Sequence, residues 1–303
     1  MSIFSLNGRI DRSTAAPLRR RLLSEARFEV IPLKNLQAQL EHLPAGAAVS
    51  VTASPNKSLE DTWELTRDLQ ERGFRPVPHL ASRMVESHQQ LSILIGELTA
   101  LNLSELFLVG GDAPSPRGPY EDSIEVLRAI LELDHTLEHI GVTAYPDGHS
   151  FIETDVLNSS LHEKQKLLKE AGVPGHASTQ MCFDPRTIRH WLEAERASGL
   201  ELPIHLGIPG AVERTKLLSI GARLGVGTSL RYLQKNTGTV ARSQRRDHPV
   251  PHHPATGRII EQGVSGPQVA MQHLLLEVLD ERSALSVHDA FGNTGGARGV
   301  EHV

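Results

Sequence analysis

The stretch RPVPHLASRMVESHQQLSILIGELTALNLSELFLVGG (residues 75–111) decides the reading of the fold. Arg75–Ala81 is a short β-rich apolar run, Glu86–Leu101 carries its apolar residues at helical spacing, and Glu105–Gly111 returns to the β-rich pattern. That order makes a βαβ unit, the building block of a parallel sheet. Working outward, the rhythm repeats. Strands are expected at Arg27–Leu33, Ala47–Ser54, Ile140–Pro146, His176–Asp184, Leu202–Pro209 and Ala284–Phe291. Helices are expected at Leu59–Arg72, Tyr120–Leu133, Ser160–Ala171, Pro185–Ala197, Val212–Leu224 and Pro267–Asp280. Gly73, Gly172 and Gly199 stand where helices stop, and Pro185 and Pro267 where they start.

Eight βα units in about 270 residues match a single (β/α)8 TIM barrel, which typically needs ~250. An open doubly wound sheet would carry a G-x-G-x-x-G turn after its first strand, and Leu33–Lys34–Asn35 has nothing of that kind. The expected organisation is an amphipathic helical arm over residues 1–26, the barrel over 27–291 and a flexible Gly-rich tail over 292–303. A long loop, Gly225–Pro267, precedes the last helix and contains RSQRRDHPVPHHP (242–254).

Composition narrows the function. A single cysteine, Cys182, excludes disulfide scaffolds and Cys-rich zinc modules. The formal charge of −5, from 31 basic and 36 acidic residues, argues against a nucleic-acid partner. No apolar run approaches the ~20 residues that span a bilayer. The first residues lack a signal-peptide apolar region, so a cytoplasmic protein acting on a small molecule is expected. A homo-oligomer is compatible with all of this.

In a TIM barrel the chemistry is built where strands end, so those positions are the candidates. They are Glu29, Thr52, His79, Gly110–Gly111–Asp112, Tyr145 to His149, Thr179–Gln180, His205 and His288–Asp289. A carboxylate on the first strand, covered on both faces, is costly unless it faces the open end, which favours a role for Glu29. Glycines before Asp112 let a planar ligand approach the backbone. The Gln180 amide can both donate to and accept from a heterocycle. His79 and His205 read equally as packed core histidines. The HPVPHH stretch (248–253) reads as a solvated loop, and no metal is expected.

Seven short motifs in order, FEVIPLK (28–34), VSVTAS (49–54), PHL (78–80), LVGGD (108–112), AYPDGH (144–149), STQMCFD (178–184) and GIPG (207–210), resemble the methylenetetrahydrofolate reductase family. The resemblance implies a (β/α)8 barrel that reduces 5,10-methylenetetrahydrofolate to 5-methyltetrahydrofolate with NADH or NADPH, usually through bound FAD. It implies that Glu29 is the general acid, that Asp112 is catalytic and sits beside the pterin, and that Gln180 orients the folate. Thr52, His79, Gly111, Tyr145 and His149 fall at cofactor-binding positions. The family also carries an Asp and a Lys that hold the flavin's ribose and phosphates. In SSLHEKQKLLKEAG (159–172) these places hold Leu161 and Leu168, with Lys166 and Lys169 nearby. The last motif, VHDAFGNT (287–294), has Thr294 in place of an arginine. With those anchors replaced, the chain is most similar to the flavin-independent, actinobacterial-type branch, and whether FAD binds stays open. Two other readings compete with the reductase: a metal-dependent barrel hydrolase using His79, His149, His205, His288 and Asp289, and a non-catalytic folate-binding protein.

Overall fold

A computed structural model describes residues 21–22, 24–30, 36–54, 57–182 and 184–209, together with the strand 271–278. Seven strands pair side by side in chain order, all parallel: β1 (Arg27–Val30), β2 (Ala48–Val51), β3 (Arg75–Ala81), β4 (Glu105–Val109), β5 (His139–Ala144), β6 (Gly175–Thr179) and β7 (Ile204–Pro209). Between them run α1 (Leu36–Leu40), α2 (Leu59–Glu71), α3 (His88–Ala100), α4 (Ser123–Glu132), α5 (Thr154–Ala171) and α6 (Pro185–Ala197). The result is a curled, TIM-barrel-like α/β sheet. No described helix is long and apolar enough to cross a membrane.

Helix starts follow from capping chemistry. The Ser58 hydroxyl accepts from the Asp61 amide at 3.1 Å while the Asp61 carboxylate accepts from the Ser58 amide at 2.8 Å, a reciprocal box that opens α2. Ser87 caps α3, Asp122 caps α4, and Asp184 caps α6 just before Pro185. Gly172 ends α5 with φ +68°, as expected for a residue without a Cβ. Helix α5 starts at Thr154, six residues before the Ser160 expected from sequence, because the polar first turn TDVLNS hides the helical period.

Strand parity separates the two faces. Phe28 and Val30 are buried with Val49, Val51, Leu36, Leu40, Leu65 and Leu69, so they face the helix layer. Arg27 and Glu29 take the opposite face by the two-residue period. That face is the interior: Arg27 Nη2 lies 2.5 Å from Glu105 on β4, a strand that does not border β1.

The closing strand departs from expectation. Residues 271–278, inside the helix expected at Pro267–Asp280, form β8 (Met271–Val278), antiparallel to both β7 and β1. The Leu-rich run MQHLLLEV has good helical propensity, but β1 and β7 would otherwise present unpaired edges, and backbone pairing overrides propensity. The uniformly parallel eight-stranded order is therefore corrected to seven parallel strands and one reversed. The strand expected at Ala284–Phe291, the helix at Val212–Leu224, the Gly225–Pro267 loop and the tail lie outside the described residues. Most of the N-terminal arm does too, although Leu22 and Ala26 at its end are buried in the main core.

Candidate functional site

The carboxyl ends of the strands form one mouth, and the first contribution is Glu29, on the inner face of β1 beside Ser50 of β2. Immediately beyond β2, the Thr52 amide donates to the Val30 carbonyl at 2.9 Å, which ties the two strand ends together. The Thr52 hydroxyl is buried with no hydrogen-bond partner among the described residues, an unmet capacity that a ligand could use. His79 lies deeper, only 4% exposed, with its ring 4.6 Å from that of Phe107.

The loop after β4 is shaped by glycine and held by arginine. Gly111 adopts φ +91°, and a Cβ there would stand 3.1 Å from the Ala81 side chain, so glycine alone fits this turn. Ser82 donates to the Val109 carbonyl at 3.0 Å, and the Arg83 amide to Gly110 at 3.0 Å. The Arg83 guanidinium then donates to the carbonyls of Ala113 (2.8 Å), Pro114 (3.1 Å) and Glu121 (2.9 Å). Asp112 is presented from this stapled loop, and it is exposed.

After β5 the turn at Gly148 (φ +75°) folds back so that the Tyr145 and His149 rings meet edge to face, 5.3 Å between centroids. His149 also packs against Phe151 at 4.3 Å. Burial raises the Tyr145 phenol above its usual range; a hydrogen bond with Thr143 opposes this and the Asp112 charge reinforces it. Burial lowers the His149 imidazole, with Asp112 pulling the other way. One carboxylate therefore acts on both rings, and Asp112, Tyr145 and His149 share a neighbourhood. From β6, the Gln180 amide N–H donates to the Ala144 carbonyl at 2.7 Å, and its side-chain oxygen accepts from the Met181 amide at 2.8 Å. That leaves the side-chain NH2 as the end available to a ligand.

Other expected groups lie elsewhere. His205 stacks on His176 inside the strand ring, 4.0 Å between centroids, with its pKa pushed down to about 3 by burial, Arg27 and His139. It is a packed interior histidine. His149 belongs to the mouth, and His288 and Asp289 lie outside the described residues, so the five-residue hydrolase set is not assembled among those described.

The flavin anchors also fail to appear on α5. Leu161 and Leu168 are buried in the apolar core. Lys166 sits twelve residues into the helix, roughly 18 Å from its mouth-side start at ~1.5 Å per residue. Lys169, in the last turn, pairs with Glu201 at 2.9 Å on the far side. These residues do not fit the ribose and phosphates of FAD, which corrects the idea that either lysine substitutes for the family's anchor.

Sequence reasoning missed two features. Arg83 gave no motif, since its bonds go to backbone carbonyls rather than to a partner of recognisable type. The second is a polar cluster at the amino ends of the strands: Arg27, Glu105, His139, His176 and His205. The signal was present as polar residues near the starts of β1, β4, β5, β6 and β7, the ends away from those where a TIM barrel builds its chemistry.

No family model matches the chain. A crystal structure from Burkholderia cenocepacia J2315, provisionally described as a lyase/mutase, is similar at 17% identity with a TM-score of 0.41, over 84% of this chain and 96% of its own.

Proposed function

We propose that this protein reduces 5,10-methylenetetrahydrofolate to 5-methyltetrahydrofolate with NADH or NADPH, in the cytoplasm and on a (β/α)8-type scaffold. The observation that carries the reading is the inward face of Glu29 on β1, opposite the helix-facing Phe28 and Val30. Order and identity of the seven motifs supply the rest.

The bridging methylene must become an electrophile before hydride can reach it. Glu29 delivers a proton to N10 as the carbon–N10 bond breaks, leaving an N5 iminium cation. A carboxyl suits this because its acid form can donate a proton to the departing nitrogen. Asp112 offers negative charge to the cation, and the Arg83 staple fixes where that charge stands. Gln180 turns its NH2 toward the pterin and holds it in plane. Hydride from the dihydronicotinamide then lands on the iminium carbon, giving the N5-methyl product and oxidised nicotinamide. Glu29 is reprotonated from solvent. No step runs through FAD, in keeping with buried Leu161 and Leu168 at the places where the family carries its flavin anchors.

The deciding experiment is anaerobic oxidation of NADH and of NADPH on addition of methylenetetrahydrofolate, with and without FAD. Turnover by colourless protein without FAD is expected. Activity only with FAD overturns direct transfer, and tight folate binding with no oxidation at high enzyme concentration leaves a non-catalytic binder.

A further inference from the structure

We propose that the amino-terminal end of the strand ring holds a borderline divalent transition-metal ion, such as Zn2+ or Co2+, on His139, His176 and Glu105. One ligand atom from each of these residues falls within 4.8 Å of the others. Tetrahedral ligands at metal distances of about 2.0–2.2 Å stand roughly 3.4 Å apart, so a small inward or outward shift of each side chain completes the set. The donors are two imidazoles and one carboxylate, a combination suited to zinc and its neighbours rather than to magnesium or calcium.

The geometry around the trio supports this. His139 Nε2 and His176 Nδ1 share a hydrogen bond at 2.7 Å, so the two nitrogens are already side by side and an ion taken up between them replaces the shared proton. His176 is fully buried, and its Nε2 has no hydrogen-bond partner among the described residues. The His139, His176 and His205 rings stack in succession, at 4.9 and 4.0 Å between centroids, which fixes the ring planes and limits reorganisation. Access comes from the end opposite the mouth: Glu105 and Arg27 keep 26% and 12% of their side chains exposed there.

Arg27 is the opposing element. Its guanidinium occupies the Glu105 carboxylate at 2.5 Å and places positive charge beside the ion. The carboxylate must therefore bridge the two cations or exchange one for the other. Removing the arginine charge should strengthen metal binding, whereas a cluster that is purely structural would gain nothing from an ion. The sequence concealed this site because the three ligands start different strands and share no short motif.

The test is Co2+ titration of metal-stripped full-length chain in which His248, His252 and His253 are replaced by Gln, which removes background from the His-rich stretch. One equivalent giving tetrahedral visible absorption is expected, with the signal lost in His139→Gln and in His176→Gln. Arg27→Gln should bind about tenfold tighter and gain more melting temperature from Zn2+ than the parent does. Glu29→Gln should bind as the parent does, which separates this site from the mouth chemistry. Retention of one-equivalent binding in both histidine variants, or no tightening and no extra Zn2+ stabilisation in a folded Arg27→Gln chain, overturns the assignment.

Discussion

At the carboxyl ends of the strands, Asp112, Tyr145, His149 and Gln180 stand on loops, with one ring contact between Tyr145 and His149 and Gln180 tied to backbone. At the amino ends, Arg27, Glu105, His139, His176 and His205 touch each other directly through an ion pair, a hydrogen bond and two ring stacks. Both ends are polar, and both keep unmet hydrogen-bonding capacity. At the mouth the Thr52 hydroxyl is unmet and Asp112 is exposed, while at the base His176 Nε2 is unmet and Arg27 and Glu105 offset each other's charge. Polarity alone therefore does not mark a reaction site; what marks it is polarity held in place by groups that are not themselves its partners. Arg83 does this for Asp112.

The sharpest way to break the contrast is Glu29→Gln. Turnover should fall by about two to four orders of magnitude, the range for a lost general acid, with folate affinity similar. Steady-state kinetics with measured folate binding checks it, and unchanged turnover would remove Glu29 from the chemistry.

Next in size is acid sensitivity of the base. Burial depresses His205 to about 3 from an ordinary 6.5, and His176 in the same direction. Below about pH 6.5 the unfolded chain takes up protons that the folded chain refuses. Stability is thus full above that pH and lost as pH falls toward about 3, by an amount on the order of a few kcal/mol. Denaturant midpoints across that window should decline, and His205→Gln should flatten the decline.

Gly141→Ala probes the packing of the same region. A Cβ there would overlap the Phe107 ring and stand 2.6 Å from His176 Cε1. Overpacking of this kind costs about 1–3 kcal/mol, which a lowered melting temperature would register. An unchanged melt would mean that the interior is looser than its contacts indicate.

The smallest effect is expected from Arg83→Met, which cuts the staple while leaving Asp112 in the chain. Turnover should fall roughly tenfold, about 1.4 kcal/mol, with the Michaelis constant for folate moving less. Equal loss in both would make Arg83 a binding group instead of a positioning one.

Much of the architecture was legible in the chain because strands and helices here announce themselves through local periodicity. The run from β3 to β4 is the clearest case, with α3 two residues shorter at its start than the pattern indicated. The reversal of β8 was not legible, since Leu274, Leu275 and Leu276 suit a helix until two open strand edges compete for their backbone. At the mouth, Asp112, Tyr145 and His149 could be placed together because each follows a strand end. The histidines at the base could not, because their meeting depends on residues 37 positions apart arriving at one level of the ring.

The reversed strand also sets where the chain can be handled. Met271 lies at the Pro209 end of β7 and Val278 at the Ile204 end, so β8 runs from the mouth back to the opposite pole. Arg27 begins β1 at that same pole. The described ring is therefore entered at Arg27 and left at Val278 on one pole, so a probe or a pulling force applied at these two residues acts on the base and leaves the mouth clear.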